Sequence, residues 1–201
     1  MGGYIYMQKI VLLFPGVGYH TDKPLLFYGR KLAQNYGYET VIHLSYGGFK
    51  SGIKGDLEKM KEAFESALAQ TEEIFCGECK KKGLDPGTIF GGDNEILVIS
   101  KSIGTAVAAA FQQKHGFVGK NIYFTPVKQS FMFMQPRSGI VFHGTADPWA
   151  KTEDIREGCE KLHLPLYITE GTNHSMETGD CLKDLQIMQE IMEHCNEYLR
   201  S

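Results

Sequence analysis

Continuous apolar runs alternate with segments of helical periodicity along the whole chain. The apolar runs are rich in β-branched and aromatic residues, as in strands covered on both faces, and they span residues 7–15, 39–46, 95–100, 121–127, 138–144 and 165–169. The periodic segments predict amphipathic helices and span residues 24–37, 55–83, 103–116, 152–162 and 180–199. Asp22 or Thr21 is placed to cap the helix that starts at Pro24. Strands alternating with helices predict an α/β fold, a three-layer α/β/α sandwich with a mostly parallel sheet of about six strands.

Composition narrows the class of protein. The 201 residues are 42% hydrophobic and 22% charged, with no repeat, low-complexity tract or linker, so we expect a single domain over residues 1–201. The net charge of −3 provides no basic field for nucleic acid. No apolar run reaches the roughly 20 residues of a membrane span, and no signal peptide is recognisable at the N-terminus. We therefore expect a cytoplasmic enzyme or binding domain that neither spans a membrane nor binds nucleic acid.

Metal and nucleotide chemistry are not indicated. The odd number of cysteines, five, fits a reducing compartment better than a disulfide framework. Cys76 and Cys79 form a lone CGEC near the end of a predicted helix, without the second Cys or His pair of a zinc site, and a structural role is favoured. The stretch PGVGYH (15–20) lacks the third glycine of a dinucleotide fingerprint and the lysine of a P-loop. We expect no metal and no cofactor.

Unusual residues collect in the loops that follow predicted strands, where parallel α/β sheets bind their ligands. These loops include PGVGYH (15–20), SKSIGT (100–105), HGTADPWA (143–150) and TEGTNHSME (169–177). Ser102, Asp147 and His174 each lie just past the carboxyl end of a different strand. The carboxyl ends of parallel strands share one edge of the sheet, so this edge is the candidate site.

This layout resembles a small serine hydrolase of the α/β-hydrolase fold without a lid domain, over nearly the whole chain. SKSIG resembles the nucleophile elbow G-x-S-x-G between a strand and a helix, HGTADPW resembles the loop of the acid, and EGTNHS that of the histidine. The three occur in the family's order. The resemblance implies that Ser102 is the nucleophile, that His174 is its general base and that Asp147 fixes the histidine tautomer.

The elbow departs from the motif at its first position. Ser100 stands where the motif has glycine, and serine is small enough to be tolerated there. We expect Ser100 to be buried in the strand end and Lys101 to point away from the pocket. A Ser–Lys pair remains an alternative arrangement.

The resemblance also implies an oxyanion hole made by the backbone N–H groups of Val17 and Ile103. Gly16 and Gly18 permit the close backbone approach that such a loop requires. The alternative is that PGVG is only a turn that ends the first strand.

A lid domain is often inserted after the fourth of these strands, whereas here only about a dozen residues, PVKQSFMFMQPRS, fill that place. This predicts an open, shallow site. Residues 131–134 (FMFM) either form an apolar wall that receives an acyl or alkyl group or pack into the core. The loop 45–52 is expected to form another edge. The predicted pocket residues are Gly16, Gly18, His20, Phe131, Phe133 and Trp149.

The function that the resemblance implies is cleavage of a small carboxylic ester, thioester or related acyl substrate through an acyl-enzyme. Two alternatives remain open. One is acyl transfer, or cleavage of another bond, by the same residues. The other is a non-catalytic binding protein on this fold. The sequence does not indicate the substrate, the acyl chain length or the oligomeric state.

Overall fold

The computed structural model describes residues 7–49, 52–53, 56–91 and 93–201. The strands are β1 (Lys9–Phe14), β2 (Thr40–His43), β3 (Glu95–Lys101), β4 (Lys120–Phe124), β5 (Gly139–Gly144) and β6 (Leu166–Thr169). The helices are α1 (Pro24–Asn35), α2 (Leu57–Lys81), α3 (Ile103–His115), α4 (Thr152–Leu162) and α5 (Cys181–Arg200), and a short 3-10 helix (Lys128–Met132) follows β4. Within these residues, no helix has the length and apolar character needed to cross a membrane.

The strands form one sheet in the order β2-β1-β3-β4-β5-β6, and every neighbouring pair is parallel. The predicted α/β class and the mostly parallel sheet of about six strands are therefore confirmed. The chain runs from β1 outward to β2 and then returns to β3 on the other side of β1. Loops that leave β1 and β3 consequently diverge, which opens a crevice at the carboxyl edge of the sheet.

Both faces of the sheet are covered by helices. Val11 and Leu13 of β1 belong to an apolar cluster with residues of α1 and α5. Ile10 and Leu12 belong to a second cluster with residues of α2 and α3. Because side chains alternate along a strand, a strand with helices on both faces needs apolar residues at successive positions. This is the physical origin of the continuous apolar runs.

Helix α3 starts unusually close to the end of β1. A Cβ atom at Gly104 would lie 2.3 Å from the carbonyl oxygen of Pro15 and 2.6 Å from that of Phe14. The Tyr46 hydroxyl donates a hydrogen bond to the same Pro15 oxygen at 2.6 Å. Glycine at position 104 therefore brings the first turn of α3 against the loop that follows β1.

Some predicted local features differ from the structure. The predicted cap of α1 is wrong, because Lys23 is its N-cap residue and makes no side-chain capping bond. The Thr21 hydroxyl instead hydrogen-bonds His43 Nδ1 at 2.9 Å, and Pro24 occupies the first turn, where its missing N–H costs nothing. Strand β2 ends three residues before the predicted bound at 46, and Tyr46 turns its hydroxyl toward Pro15.

The connection between β4 and β5 contains the 3-10 helix and no inserted domain. The 3-10 helix contacts α3 and α4. The site edge is therefore left open at this position, as the short connection predicts.

Candidate active site

Ser102 lies on a sharp turn between β3 and α3. Its φ of 58° and ψ of −130° are unusual for a residue with a side chain. The backbone N–H of Ser102 donates to the carbonyl oxygen of Phe124 on β4 at 3.0 Å, which helps to hold the turn. Residues in such sparsely populated conformations persist where the surroundings fix them, and they cluster at functional sites.

The structure brings Ser102, His174 and Asp147 together in one chain of hydrogen bonds. His174 Nδ1 lies 2.7 Å from Asp147 Oδ2, and His174 Nε2 lies 2.7 Å from Ser102 Oγ. An ionised carboxylate only accepts, so Nδ1 carries the proton and Nε2 accepts from the serine hydroxyl. Asp147 Oδ1 accepts from the backbone N–H of Trp149 at 2.8 Å, so both carboxylate oxygens have a donor.

The histidine is held from several sides. The Thr125 hydroxyl donates to the carbonyl oxygen of His174 at 3.0 Å. The Trp149 ring stacks on the imidazole with a centroid distance of 5.4 Å and an interplanar angle of 26°. Asn173 Oδ1 accepts from the backbone N–H of Ser175 at 2.7 Å, which fixes the turn around His174. The orientation of the imidazole is thus set by contacts within the protein.

Burial lowers the pKa of His174 below its ordinary value, and the nearby Lys101 cation acts in the same direction. The hydrogen bond and charge of Asp147 oppose this shift but do not reverse it. The imidazole is therefore neutral at pH 7 and can accept a proton from Ser102.

The loop after β1 passes directly beside Ser102. Gly16 and Tyr19 exchange backbone hydrogen bonds at 3.2 Å, with Val17 between them. A Cβ atom at Gly16 would lie 2.9 Å from Ser102 Cβ, so glycine is needed for this approach. Within the described part of the chain, neither the Val17 N–H nor the Ile103 N–H has a hydrogen-bond partner. Two backbone donors are thus available at the edge that carries Ser102.

Lys101 is buried beneath this loop and away from the serine hydroxyl. Its side chain is 2% exposed, and its ammonium lies 4.9 Å from the centroid of the Tyr19 ring. The Ser102 hydroxyl is bonded to His174, and among the described residues no hydrogen bond joins it to Lys101. Burial lowers the pKa of Lys101 to about 7, against the opposing charges of Asp147 and Glu177.

Replacing Lys101 with Met should stabilise the protein at low pH. Between pH 7 and the unfolded pKa of 10.5, the unfolded chain holds a proton that the folded chain lacks, so the cost of burying this group falls as pH rises. Below pH 7 the full cost is present, partly offset by the cation–π contact with Tyr19. We expect Lys101→Met to raise the free energy of unfolding by about 2 kcal/mol at pH 6 and much less at pH 9.5. Urea titrations of both proteins at the two pH values check this, and a less stable variant at pH 6 would contradict it.

A second buried histidine stands behind the acid. His143 is 0% exposed, and its Nδ1 lies 3.9 Å from Asp147 Oδ2, while its Nε2 shares a hydrogen bond with the Thr152 hydroxyl at 3.0 Å. Burial lowers the pKa of His143, so the ring is neutral and adds no full charge beside the carboxylate.

An apolar groove of about 570 Å³ lies beside the first turn of α3, the helix that follows Ser102. Ile103, the residue after Ser102, is part of its lining, and so is Phe133, one of the predicted pocket residues. Its apolar lining residues are Leu57, Met60, Phe64, Ile103, Ala106, Val127, Met132 and Phe133. Sequence reasoning missed the contribution of α2, because the spacing of Leu57, Met60 and Phe64 also fits an ordinary core-facing helix.

Other predicted pocket residues lie elsewhere. The Phe131 ring packs against Gly158 of α4, with a Cβ at that glycine 2.5 Å from the ring, and does not line the groove. His20 is exposed and its Nδ1 accepts from the backbone N–H of Asp22 at 3.3 Å. Gly18 is at the exposed corner of its turn. In the predicted edge loop 45–52, residues 50 and 51 lie outside the described residues.

The CGEC pair shows no functional arrangement. Both cysteines lie in α2 as free thiols, and burial raises the pKa of Cys79 to about 11, which keeps it protonated. In the described ranges, no group of three or more His, Cys, Asp and Glu residues is arranged to hold a metal ion.

Comparison with solved structures identifies the fold. No protein-family model matches this chain, and no curated protein sequence does either. An α/β serine hydrolase without a lid from Xanthomonas campestris superposes with a TM-score of 0.63 at 12% identity, over 98% of this chain and 85% of that one. An esterase from Pyrococcus furiosus gives 0.60 at 13% identity, over 97% and 83%. Est1E from Butyrivibrio proteoclasticus, with ferulic acid bound, gives 0.64 at 9% identity, over 97% and 91%. The chain therefore has the α/β-hydrolase fold without a lid, and this prediction is confirmed.

Proposed function

We propose that this chain, which has the α/β-hydrolase fold, is a serine hydrolase that cleaves a small carboxylic ester, thioester or related acyl substrate. The observation that carries the proposal is the chain of two 2.7 Å contacts from Ser102 through His174 to Asp147. The strained turn at Ser102 and the neighbouring free backbone donors support the same chemistry. Hydrolases and esterases among the structural neighbours support it at the level of the fold.

In the first half of the reaction, Ser102 Oγ attacks the substrate carbonyl carbon as His174 Nε2 takes the hydroxyl proton. The Asp147 carboxylate stabilises the imidazolium that forms and holds its tautomer. His174 then donates the proton to the leaving alcohol or thiol, and an acyl-enzyme on Ser102 remains. In the second half, His174 takes a proton from water as the water oxygen attacks the acyl carbon. The bond from that carbon to Ser102 Oγ then breaks, His174 returns the proton to Oγ, and the acid is released.

The carbonyl oxygen gains negative charge in each half of the reaction. In the proposal, the N–H groups of Val17 and Ile103 donate to this oxyanion. Each preset donor of this kind contributes about 3 kcal/mol of transition-state stabilisation. The glycine at position 16 lets the loop that carries Val17 pass close to Ser102.

Turnover of 4-nitrophenyl acetate tests the proposal. We expect measurable hydrolysis by the native protein and a loss of at least about a thousand-fold in kcat for His174→Ala, because the hydroxyl loses its base. The exposed His163→Ala serves as a control with native activity. A native protein without turnover, or a fully active His174→Ala variant, would favour a non-catalytic binding protein on this fold.

The same assay separates hydrolysis from acyl transfer. With a primary amine present at concentrations that compete with water, a hydrolase forms mostly free acid, whereas a transferase forms mostly amide. We expect free acid as the main product. The free cysteines fit a reducing compartment, and the proposal places the enzyme in the cytoplasm.

A further inference from the structure

We propose that the groove beside Ile103 binds an unbranched apolar acyl chain, so that the preferred substrates carry chains of about six to ten carbons. This inference rests on the proposed serine-hydrolase function and adds the substrate class. The name "acyl groove" is used below for the cavity lined by the eight apolar residues given above.

The lining of the acyl groove includes the residue that follows the candidate nucleophile. Ile103 follows Ser102 directly, and Ala106 lies one turn further along α3; both are buried and line the groove. Val17 and Trp149 pack in one cluster with Ile103 and the groove residues Met60 and Phe64. The lining of the groove therefore packs against the loops that surround Ser102, and an acyl chain attached to Ser102 would extend along these side chains.

Two elements form the walls of the acyl groove. Helix α2 provides Leu57, Met60 and Phe64, and the segment after β4 provides Met132 and Phe133. The rings of Phe64 and Phe133 stack on each other with a centroid distance of 5.1 Å and an interplanar angle of 22°, so the two walls touch at this point. Leu57 and Phe64 are seven residues apart on α2, which corresponds to about 10 Å along the helix, roughly the length of an eight-carbon chain.

The outer rim of the acyl groove carries apolar side chains that water covers in the free protein. Leu57 is 67% exposed and Met132 is 71% exposed, and they line the same cavity from opposite walls. Single exposed apolar residues are common, but a pair facing one groove indicates a surface that a ligand covers. Binding of an alkyl chain would remove both side chains from water.

The charges around the acyl groove favour a neutral chain. The charged lining residues Glu58, Lys61 and Glu65 lie on the exposed surface of α2, and Lys61 pairs with Glu65 at 3.9 Å. The lining on α3 is apolar, so a polar substituent on the chain would lose water there without gaining a partner. A hydrocarbon chain has no such penalty.

Activity should therefore depend on acyl chain length. Each buried methylene contributes up to about 0.8 kcal/mol, or about four-fold in affinity. We expect kcat/KM on 4-nitrophenyl esters to rise about two- to four-fold per added methylene from acetate to octanoate and then to level off.

Charged substitutions at the outer rim test whether the acyl chain binds in the acyl groove. Leu57→Lys combined with Met132→Lys should lower the octanoate-to-acetate ratio of kcat/KM at least ten-fold, because both positions then carry charge where the chain is to be buried. Both side chains are exposed, so the variant is expected to fold. Leu182→Lys is the matched control, since Leu182 is 75% exposed on α5, away from the groove, and its ratio should equal that of the native protein.

These measurements distinguish a failure of the acyl groove inference from a failure of the proposed function. If acetate is hydrolysed but the rate does not depend on chain length, or if the rim variant and the control have the same ratio, the acyl groove inference is overturned and the proposed hydrolase remains. If the native protein hydrolyses no ester of any length and Ser102 reacts with no fluorophosphonate, the proposed function fails and the inference falls with it. A length-dependent rate that only the rim variant reduces supports both.

Discussion

Replacing Ser102 with Ala should lower kcat for ester hydrolysis by roughly a million-fold, the largest effect we expect from any single substitution. The hydroxyl forms the covalent bond to the acyl group, so without it His174 has no nucleophile to activate and no acyl-enzyme can form. The Ala side chain fits where the serine is now, because Ser102 is 6% exposed and, among the described residues, its hydroxyl bonds only to His174. The protein should therefore fold normally, and circular dichroism checks this beside the rate measurement.

Ser100→Ala is the matched control for this prediction. Ser100 lies two residues earlier in the same motif, is 0% exposed, and has its hydroxyl 3.5 Å from the carbonyl oxygen of Ile122 within the sheet. It has no contact with His174. We expect Ser100→Ala to change kcat less than two-fold. A native rate for Ser102→Ala, or a large loss for Ser100→Ala, would show that Ser102 is not the nucleophile.

Replacing Asp147 with Asn should lower kcat by roughly ten thousand-fold while the fold is preserved. The Asn amide has the shape of the carboxylate, and its oxygen can still accept from the Trp149 N–H. It then offers an NH₂ group to His174 Nδ1, so the ring adopts the other tautomer and Nε2 no longer accepts from Ser102. The charge that stabilises the imidazolium is also removed.

The pH dependence distinguishes this role from a general structural one. Asp147 raises the pKa of His174 through a hydrogen bond and its charge, whereas burial and Lys101 lower it. Without Asp147 the pKa of His174 should fall further, so the acidic limb of the kcat/KM profile should move to lower pH. Asp22→Asn, at an exposed position near the same edge, is the control that should keep the native rate and profile. An unchanged limb in Asp147→Asn would contradict the assigned role.

The sequence predicts the architecture well because the apolar pattern directly reflects burial. β1 and β3 have helices on both faces and therefore read as uninterrupted apolar runs, and α3 begins where the predicted helix begins. Ends of elements are less predictable. β2 ends early because Tyr46 is used to hold the loop after β1, a long-range contact that no local pattern contains.

The candidate site also has residues that the sequence predicts and residues that it does not. Ser102, Asp147 and His174 could be chosen because the loops after three strands resemble those of the α/β hydrolases in the same order, and the structure places them in contact. The acyl groove could not be predicted, because Leu57 and Phe64 have the spacing of any buried helical face. Within residues 131–134, the sequence does not distinguish Phe133, which lines the groove, from Phe131, which packs against α4. The burial of Lys101 under Tyr19 depends on the path of the loop after β1 and has no sequence signal.

Mass spectrometry of the protein after reaction with a fluorophosphonate probe is the most direct test of whether Ser102 is the nucleophile. Such a probe reacts much faster with a serine whose hydroxyl is activated by a base than with other side chains. We expect one adduct per chain, located by peptide mapping on Ser102, and none within the same time in His174→Ala. No adduct on the native protein, or an adduct on Ser100 or Lys101, would contradict it.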